Sequence, residues 1–267
     1  MFNYIFLLQN NTFSGLYLRQ NLIVLEEVPS TNDYLKNLLS NIKPLPECTA
    51  IMAKHQTQGK GQRGNIWLTD SGKNLTCSVL LYPSDLSIDL AFNLNMLVCL
   101  AVQKWLDQYV QNVRIKWPND LYIRDKKIGG ILIENQLMQQ RIKSSIIGIG
   151  ININQDYFSG DLQKKATSLK IEDPKHTHQD ITVYCISLLE TIASYYQCID
   201  LRQTQELLTQ YNALLYRRDQ LARYEVGGTA REGTIREVDT QGRLIIEFGS
   251  ERETFDLKEI RFLPSEG

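Results

Sequence analysis

Interleaved helix and strand signals over residues 1–217, followed by short strands alone, predict an α+β fold with a small all-β unit after it. Neighbouring strands in the first part are joined directly as well as through helices, which strict strand–helix alternation would not give. With 267 residues, the chain is long enough for one large core and a second, smaller one. Hydrophobic residues make up 43% and charged residues 22%, the balance of an ordinary soluble globular protein. The boundary is expected near residue 217, dividing 1–217 from 218–267.

The opening Met1–Leu8 is apolar, but it lacks a basic leader and a small-residue cleavage site. It also falls far short of the ~20 apolar residues that span a bilayer, so an early core segment of a soluble, unexported protein is expected. Pro29-Ser30-Thr31-Asn32-Asp33 leads into Tyr34, Leu35, Leu38 and Leu39, whose spacing suits one helix face. Ser30 or Thr31 is a good N-cap there, and Asp33 is favourable in the first turn. Thr76–Tyr82 is β-rich and predicts a strand. Asp89–Val110 carries Leu90, Leu94, Leu97, Val98, Ala101, Trp105 and Val110 at near-helical spacing and predicts a long core-facing helix. Val113–Trp117 predicts a strand, and Leu121–Arg124 with Lys127–Glu134 a hairpin about the charged turn Asp125-Lys126. Ile146–Ile153 predicts a buried strand, and two helical stretches, near Asp180–Ile199 and Gln203–Leu215, close the large unit.

After Tyr216-Arg217-Arg218 the character changes. Leu221–Glu225, Glu232–Val238, Leu244–Phe248 and Glu253–Leu257 are short strand candidates, with turns at Gly227-Gly228 and Gln241-Gly242. A small barrel of SH3-like type is expected.

Charge and cysteine usage narrow the function classes. A net charge of −1 and pI ≈ 6.3 leave no broad basic field of the kind that nucleic acid would need. Cys48, Cys77, Cys99, Cys185 and Cys198 are odd in number and form no C-x-x-C pair. Neither a zinc site nor a disulfide framework is indicated, and a reducing cytoplasm is the expected setting.

Four segments carry chemistry. In Gln56-Thr57-Gln58-Gly59-Lys60-Gly61-Gln62-Arg63-Gly64-Asn65-Ile66-Trp67, glycines alternate with cations and an indole follows. Glycine admits close backbone approach, successive free N–H groups form an anion nest, and Lys60 and Arg63 add full charge. That pattern suits a phosphorylated, ring-bearing ligand; taken alone, a solvated connector would fit as well. Lys116-Trp117-Pro118-Asn119-Asp120 ends a strand with a cation, an aromatic ring and two short polar groups. Asn119 and Asp120 there serve either a metal ion or a plain turn. Lys127 opens an apolar strand ahead of Gly129 and Gly130, with a phosphate or carboxylate partner more in keeping than a snorkelling role. In Ile147–Asn154, glycines alternate with isoleucines, leaving one face nearly bare for an apolar ligand or a closely packed helix.

Taken in this order, the segments resemble the biotin protein ligases, enzymes that join biotin to a lysine of carrier proteins. The likeness covers about residues 26–155, and the C-terminal barrel fits the family plan. It implies a mixed sheet with helices like that of class II aminoacyl-tRNA synthetases. It implies too an ATP-dependent activation of biotin to biotinyl-5′-AMP and transfer to a biotin carboxyl carrier protein. Lipoate–protein ligases share this fold and adenylate chemistry but lack the Lys-Trp-Pro-Asn-Asp segment paired with this loop.

By that resemblance, Ser30, Thr31, Asn32 and Gln56 sit at the ureido end of biotin, and Gly59, Lys60, Gly61, Gln62 and Arg63 belong to the loop closing over biotin and adenylate. Lys127 matches the lysine at the reacting carboxylate and phosphate, and Gly129, Ile131 and Gly148 are expected to line the apolar slot. Lys60, Arg63, Trp67, Lys116, Asn119 and Asn152 are the expected nucleotide contacts, with Asn119 at magnesium; Lys127, Arg63 and Asp120 are the expected catalytic groups. Gln62 stands where well-studied members carry an arginine, which implies either a looser hold on the adenylate or compensation elsewhere. Only Met1–Pro29 precede the Ser30 motif, too little for a winged-helix domain, so a monofunctional ligase without nucleic-acid or membrane partners is expected. Homodimerisation is left open.

Overall fold

A computed structural model describes residues 21–42, 44–173 and 180–264, and for Arg63 the backbone alone; the expectation for Met1–Leu8 lies outside the described residues. Seven strands build one mixed sheet: β1 (Leu22–Val28), β2 (Ala50–Gln56), β3 (Leu75–Leu81), β4 (Val113–Lys116), β5 (Asp120–Ile123), β6 (Lys126–Met138) and β7 (Arg141–Ile151), in the order β1-β2-β3-β7-β6-β5-β4. Strands β1 and β2 are parallel and joined through α1 (Thr31–Asn41); every other pair is antiparallel.

The two faces of this sheet serve different ends. On one, α2 (Ala91–Leu106) and α5 (Ile181–Cys198) pack over the isoleucines and cysteine of alternate positions, Cys77, Val79, Ile147, Ile149 and Ile151. Helix α2 is apolar almost all round and accordingly buried. On the other face, α1 lays Leu35 and Leu39 over Ile51, Leu80 and Ile146. Because side chains alternate, Thr76, Ser78 and Leu80 of β3, Ile146, Gly148 and Gly150 of β7, and Gly130, Leu132 and Glu134 of β6 share that α1 face, as their cross-strand pairing requires.

The hairpin predicted around Asp125-Lys126 forms, and β6 and β7 extend well beyond the expected spans to a turn at Gln139-Gln140. The long helix is shorter than predicted. A 3₁₀ turn, Ile88–Leu90, precedes it, and the chain turns after Leu106. Strands β1 and β2 were not expected, since Glu26, Glu27, Lys54 and His55 interrupt their apolar character. The parallel register explains those residues: Lys54 pairs with Glu26 at 2.7 Å and His55 with Glu27 at 2.9 Å. Two short helices, α3 (Leu162–Lys165) and α4 (Leu169–Glu172), were also unexpected; α6 (Thr204–Ala213) falls within its predicted stretch.

Residues 221–262 form a second, five-stranded antiparallel sheet: β8 (Leu221–Val226), β9 (Thr229–Val238), β10 (Leu244–Phe248), β11 (Glu251–Phe255) and β12 (Ile260–Phe262), ordered β11-β10-β9-β8-β12. Gly227 and Gly228 make the β8–β9 turn with φ of +56° and +80°, a conformation matched to a two-residue hairpin. The fifth strand, three residues with Arg261 at its centre, carries too little pattern to be seen in sequence. This sheet docks on the first through the Trp117 indole, which donates to Gly242 O at 2.9 Å, and through Phe262 stacked on Tyr216. Among the described residues no helix is long and apolar enough to cross a membrane.

Candidate active site

A cavity of about 200 Å³ opens on the α1 face of the large sheet, between the start of α1, the glycine–cation loop and strands β5 to β7. Its composition differs from one end to the other.

The end beneath α1 is neutral and polar. Ser30 caps the helix, accepting from Asp33 N, and this orients the first turn so that Thr31 and Asn32 point back into the sheet. Gln56, the last residue of β2, receives both the Thr31 backbone N–H (2.8 Å) and the Thr31 hydroxyl (2.9 Å) on Oε1. The Ser78 hydroxyl stands 2.7 Å from Thr31 Oγ1 and 2.6 Å from Asn32 Oδ1, and Asn32 Nδ2 donates to Glu134 Oε2 at 2.7 Å. Ser30, Thr31, Asn32 and Ser78 are all buried, so these bonds are the alternative to stranded polar groups, each worth roughly 0.5–1.5 kcal/mol.

The other end carries charge. Lys127 Nζ sits 2.6 Å from Asp120 Oδ1, both partly exposed to the cavity. Lys127 also lies 5.5 Å from the centre of the Trp67 ring. Lys60 reaches the wall from the loop, with its ammonium 2.6 Å from Asp33 Oδ2; hydrogen bonding to Asp33 raises the Lys60 pKa and keeps it cationic.

Between the ends, glycines make the room. A side chain on Gly148 would overlap the Asn32 amide, one on Gly150 would overlap the Trp67 indole, and one on Gly130 would press on Lys127 Nζ and Asp120 Oδ1 at 3.1 Å. The bare face expected from the Gly–Ile alternation is therefore occupied by the side chains of two other motifs, Asn32 over Gly148 and Trp67 over Gly150. Among the described residues the buried Trp67 indole N–H has no hydrogen-bond partner.

Most expected residues converge. Ser30, Thr31, Asn32, Gln56, Lys60, Gly61, Gln62, Trp67, Asn119, Asp120, Lys127, Ile131 and Gly148 line the cavity. Four do not. Gly129 lies on the opposite face, against the Gly150 carbonyl and Ile151, so Gly130 is the glycine at the cavity. Gly59 sits at the base of the loop, its carbonyl accepting from Trp67 N. Lys116 points toward the second sheet: its ammonium is 3.1 Å from Tyr122 Oη and 4.9 Å from the Phe262 ring centre, and burial lowers its pKa. Asn152 donates its amide to Thr167 O, away from the cavity. Arg63 lies in the 3₁₀ turn Gln62–Gly64 beside the cavity, and its side chain is outside the described residues.

Sequence reasoning missed Ser78, Glu134 and Leu257, the last reaching the cavity from the turn between β11 and β12. Ser78 had a signal, a hydroxyl that with Thr76 interrupts the apolar run of β3 on one face.

The donor set was also tested for magnesium. Asn119 is buried and gives its amide N–H to Ile131 O, which leaves only its carbonyl oxygen for a cation. Among the described residues no group of three or more His, Cys, Asp or Glu could cage a metal. Asn119 and Asp120 thus fit a cation that brings most of its ligands with it, as magnesium bound to nucleotide phosphates does.

Residues 24–152 match the model of the biotin/lipoate A/B protein ligase family. Those residues are a little under half of the chain, and over them it is similar to that family. Among curated relatives, the bifunctional ligase/repressor BirA of Bacillus spizizenii is 37% identical over 153 residues, 56% of this chain and 46% of the relative. The human biotin–protein ligase is 33% identical over 48% of this chain and 18% of its own length. The match spans about half the length of the first of these relatives or less. The solved structure of biotin protein ligase from Aquifex aeolicus, in complex with biotin and ATP, superposes with a TM-score of 0.75 and 25% identity, covering 91% of this chain and all of that one. The family embraces two acids with unlike head groups, so the choice between them rests on the site.

Proposed function

We propose that this chain is an ATP-dependent ligase that activates biotin as biotinyl-5′-AMP and transfers it to a lysine of a biotin carboxyl carrier protein. One observation carries this. A hydrogen-bonding end at Gly148 and a cationic end at Gly150 and Gly130 lie two residues apart on β7, roughly 7 Å by strand geometry. An acid with a polar neutral head and a short saturated tail spans that interval, its carboxylate arriving at Lys127. The biotin and ATP complex of the Aquifex aeolicus enzyme, to which this chain is similar, is in keeping with both ends.

The chemistry follows from charge. In the first step the biotin carboxylate oxygen attacks the α-phosphorus of ATP and pyrophosphate leaves. Two anions meet, so Lys127, and Arg63 by family resemblance, serve to offset the growing charge in a site the loop closes to water. Magnesium, when bound, neutralises phosphate charge from the Asn119–Asp120 side. In the second step the carrier's ε-amine attacks the acyl carbon and AMP leaves. The Asp120 carboxylate, held by Lys127, is placed to orient that amine and take its proton. No side-chain nucleophile is required, since biotin itself attacks.

The division between ligase and barrel units is proposed after residue 217, and the protein is proposed to work in the cytoplasm with the carrier as its macromolecular partner. Biotin-dependent exchange of pyrophosphate into ATP, followed by an avidin blot of a purified carrier domain, tests the activity. Exchange with lipoate and none with biotin would replace this assignment by a lipoate ligase.

A further inference from the structure

Three short oxygen–oxygen contacts run in series at the neutral end: Gln56 Oε1 to Thr31 Oγ1 (2.9 Å), Thr31 Oγ1 to Ser78 Oγ (2.7 Å), and Ser78 Oγ to Asn32 Oδ1 (2.6 Å). Only two hydroxyl protons, those of Thr31 and Ser78, are available to these three contacts, because a hydroxyl donates once and an amide carbonyl never. In every arrangement one contact is left without a proton. The shortage would vanish if the Asn32 amide turned over and offered its Nδ2 to Ser78. Glu134 prevents this, since its carboxylate 2.7 Å away accepts only, and a reversed Asn32 would set carbonyl oxygen against it. Glu134 thus holds the network one donor short, in a buried place where an unmade hydrogen bond is costly.

We infer that Glu134, acting through Asn32 and Ser78, selects the ligand head group: the pocket favours a ring bearing N–H donors and disfavours one without them. A cyclic urea supplies two such donors, and a dithiolane supplies none. Glu134 is a positioning residue here, partly exposed at the rim, while the buried oxygens do the recognising. A site with hydrogen-bonding groups left unmatched rejects the analogue far more strongly than an apolar pocket rejects a missing methylene. The inference rests on the proposed biotin activity and deepens it.

Pyrophosphate exchange with biotin, desthiobiotin and lipoate tests it, in the full chain and in Glu134→Gln and Ser78→Ala. Desthiobiotin keeps the cyclic urea and lacks the sulfur ring, so it isolates the N–H groups. A glutamine at 134 can donate to a reversed Asn32 and so end the shortage, and removal of the Ser78 hydroxyl takes away one of the oxygens of the network. Each variant is expected to raise KM for biotin and for desthiobiotin together by about tenfold, the worth of one hydrogen bond. KM for ATP and kcat at saturating biotin should stay within about twofold, and exchange with lipoate should hold or improve. Equal losses with all three acids, a parallel rise in KM for ATP, or an unmoved biotin KM in Glu134→Gln would overturn the inference. Those outcomes leave the activity standing; absence of biotin-dependent exchange in the unaltered chain would remove the activity and the inference with it.

Discussion

The two ends of the cavity are built on opposite physical plans. At the head-group end Thr31, Asn32 and Ser78 are buried and bonded to one another, so the arrangement exists before any ligand comes. At the cationic end Lys127 and Asp120 are partly exposed and satisfy each other through a single contact of 2.6 Å. The first plan yields selectivity, because displaced buried groups have no water to turn to. Under the proposed activity the second serves chemistry, because a half-solvated ion pair opens at little cost and would free its cation for a phosphate. Glycine serves both: β6 and β7 are bare at Gly130, Gly148 and Gly150, and each gap is filled by a group from elsewhere.

Substitutions at the two ends should therefore fail differently. Lys127→Ala is expected to cut biotin-dependent pyrophosphate exchange by about 10²–10³, as loss of one pre-placed charge-stabilising donor does. Its thermal midpoint should barely move, since the pair with Asp120 is partly solvated; a near-normal exchange rate would strike Lys127 from the mechanism. Gly148→Ala forces the Asn32 amide off its seat, and calorimetry should report biotin affinity lowered by about tenfold or more with ATP affinity retained. Gly150→Ala instead evicts the Trp67 indole, so both ligands should bind more weakly, and a defect confined to biotin would place Trp67 at the head group. Arg63→Ala is expected to weaken biotin and ATP together by about tenfold, a charged hydrogen bond's worth; unchanged affinity for both would make the loop a bystander.

The smallest effect belongs to a cation outside the cavity. Lys116 is half-buried against Tyr122 and Phe262, and desolvation depresses its folded pKa. Below that pKa both folded and unfolded chains carry the charge and the burial penalty is felt in full. As pH rises through it toward the unfolded value of about 10.4, the penalty fades. Lys116→Met should thus raise the midpoint at pH 7 by roughly 1–3 °C, a gain that shrinks at alkaline pH, with KM for ATP unchanged. A rise in that KM would return Lys116 to the nucleotide site.

Much of this was legible in the chain and some was not, for reasons particular residues make plain. Ser30 as N-cap follows from local chemistry, and so does the Asp125-Lys126 hairpin. The glycine pair 129–130 announced a close approach, yet its phase was ambiguous: sequence cannot say which of two adjacent glycines faces the ligand. Pairing of Gly130 with Gly150 decides it, after a register shift between β5 and β6 at Leu121/Tyr122. Lys116 and Asn152 were drawn to the nucleotide by their neighbours in sequence; Lys116 shares the face of Asp120 but turns to Tyr122 and Phe262, and Asn152 is spent on Thr167 O.

By itself the sequence determined the local rules: the longer helices and most of the strands, where glycine leaves room, and which cations stand near it. These depend on spacing and on residues a few positions apart. Tertiary structure alone decided what fills the room. Asn32, Trp67 and Lys127 come from separate segments and meet over β6 and β7; only the register of distant strands, fixed by burying one whole face, brings them to the same few ångströms.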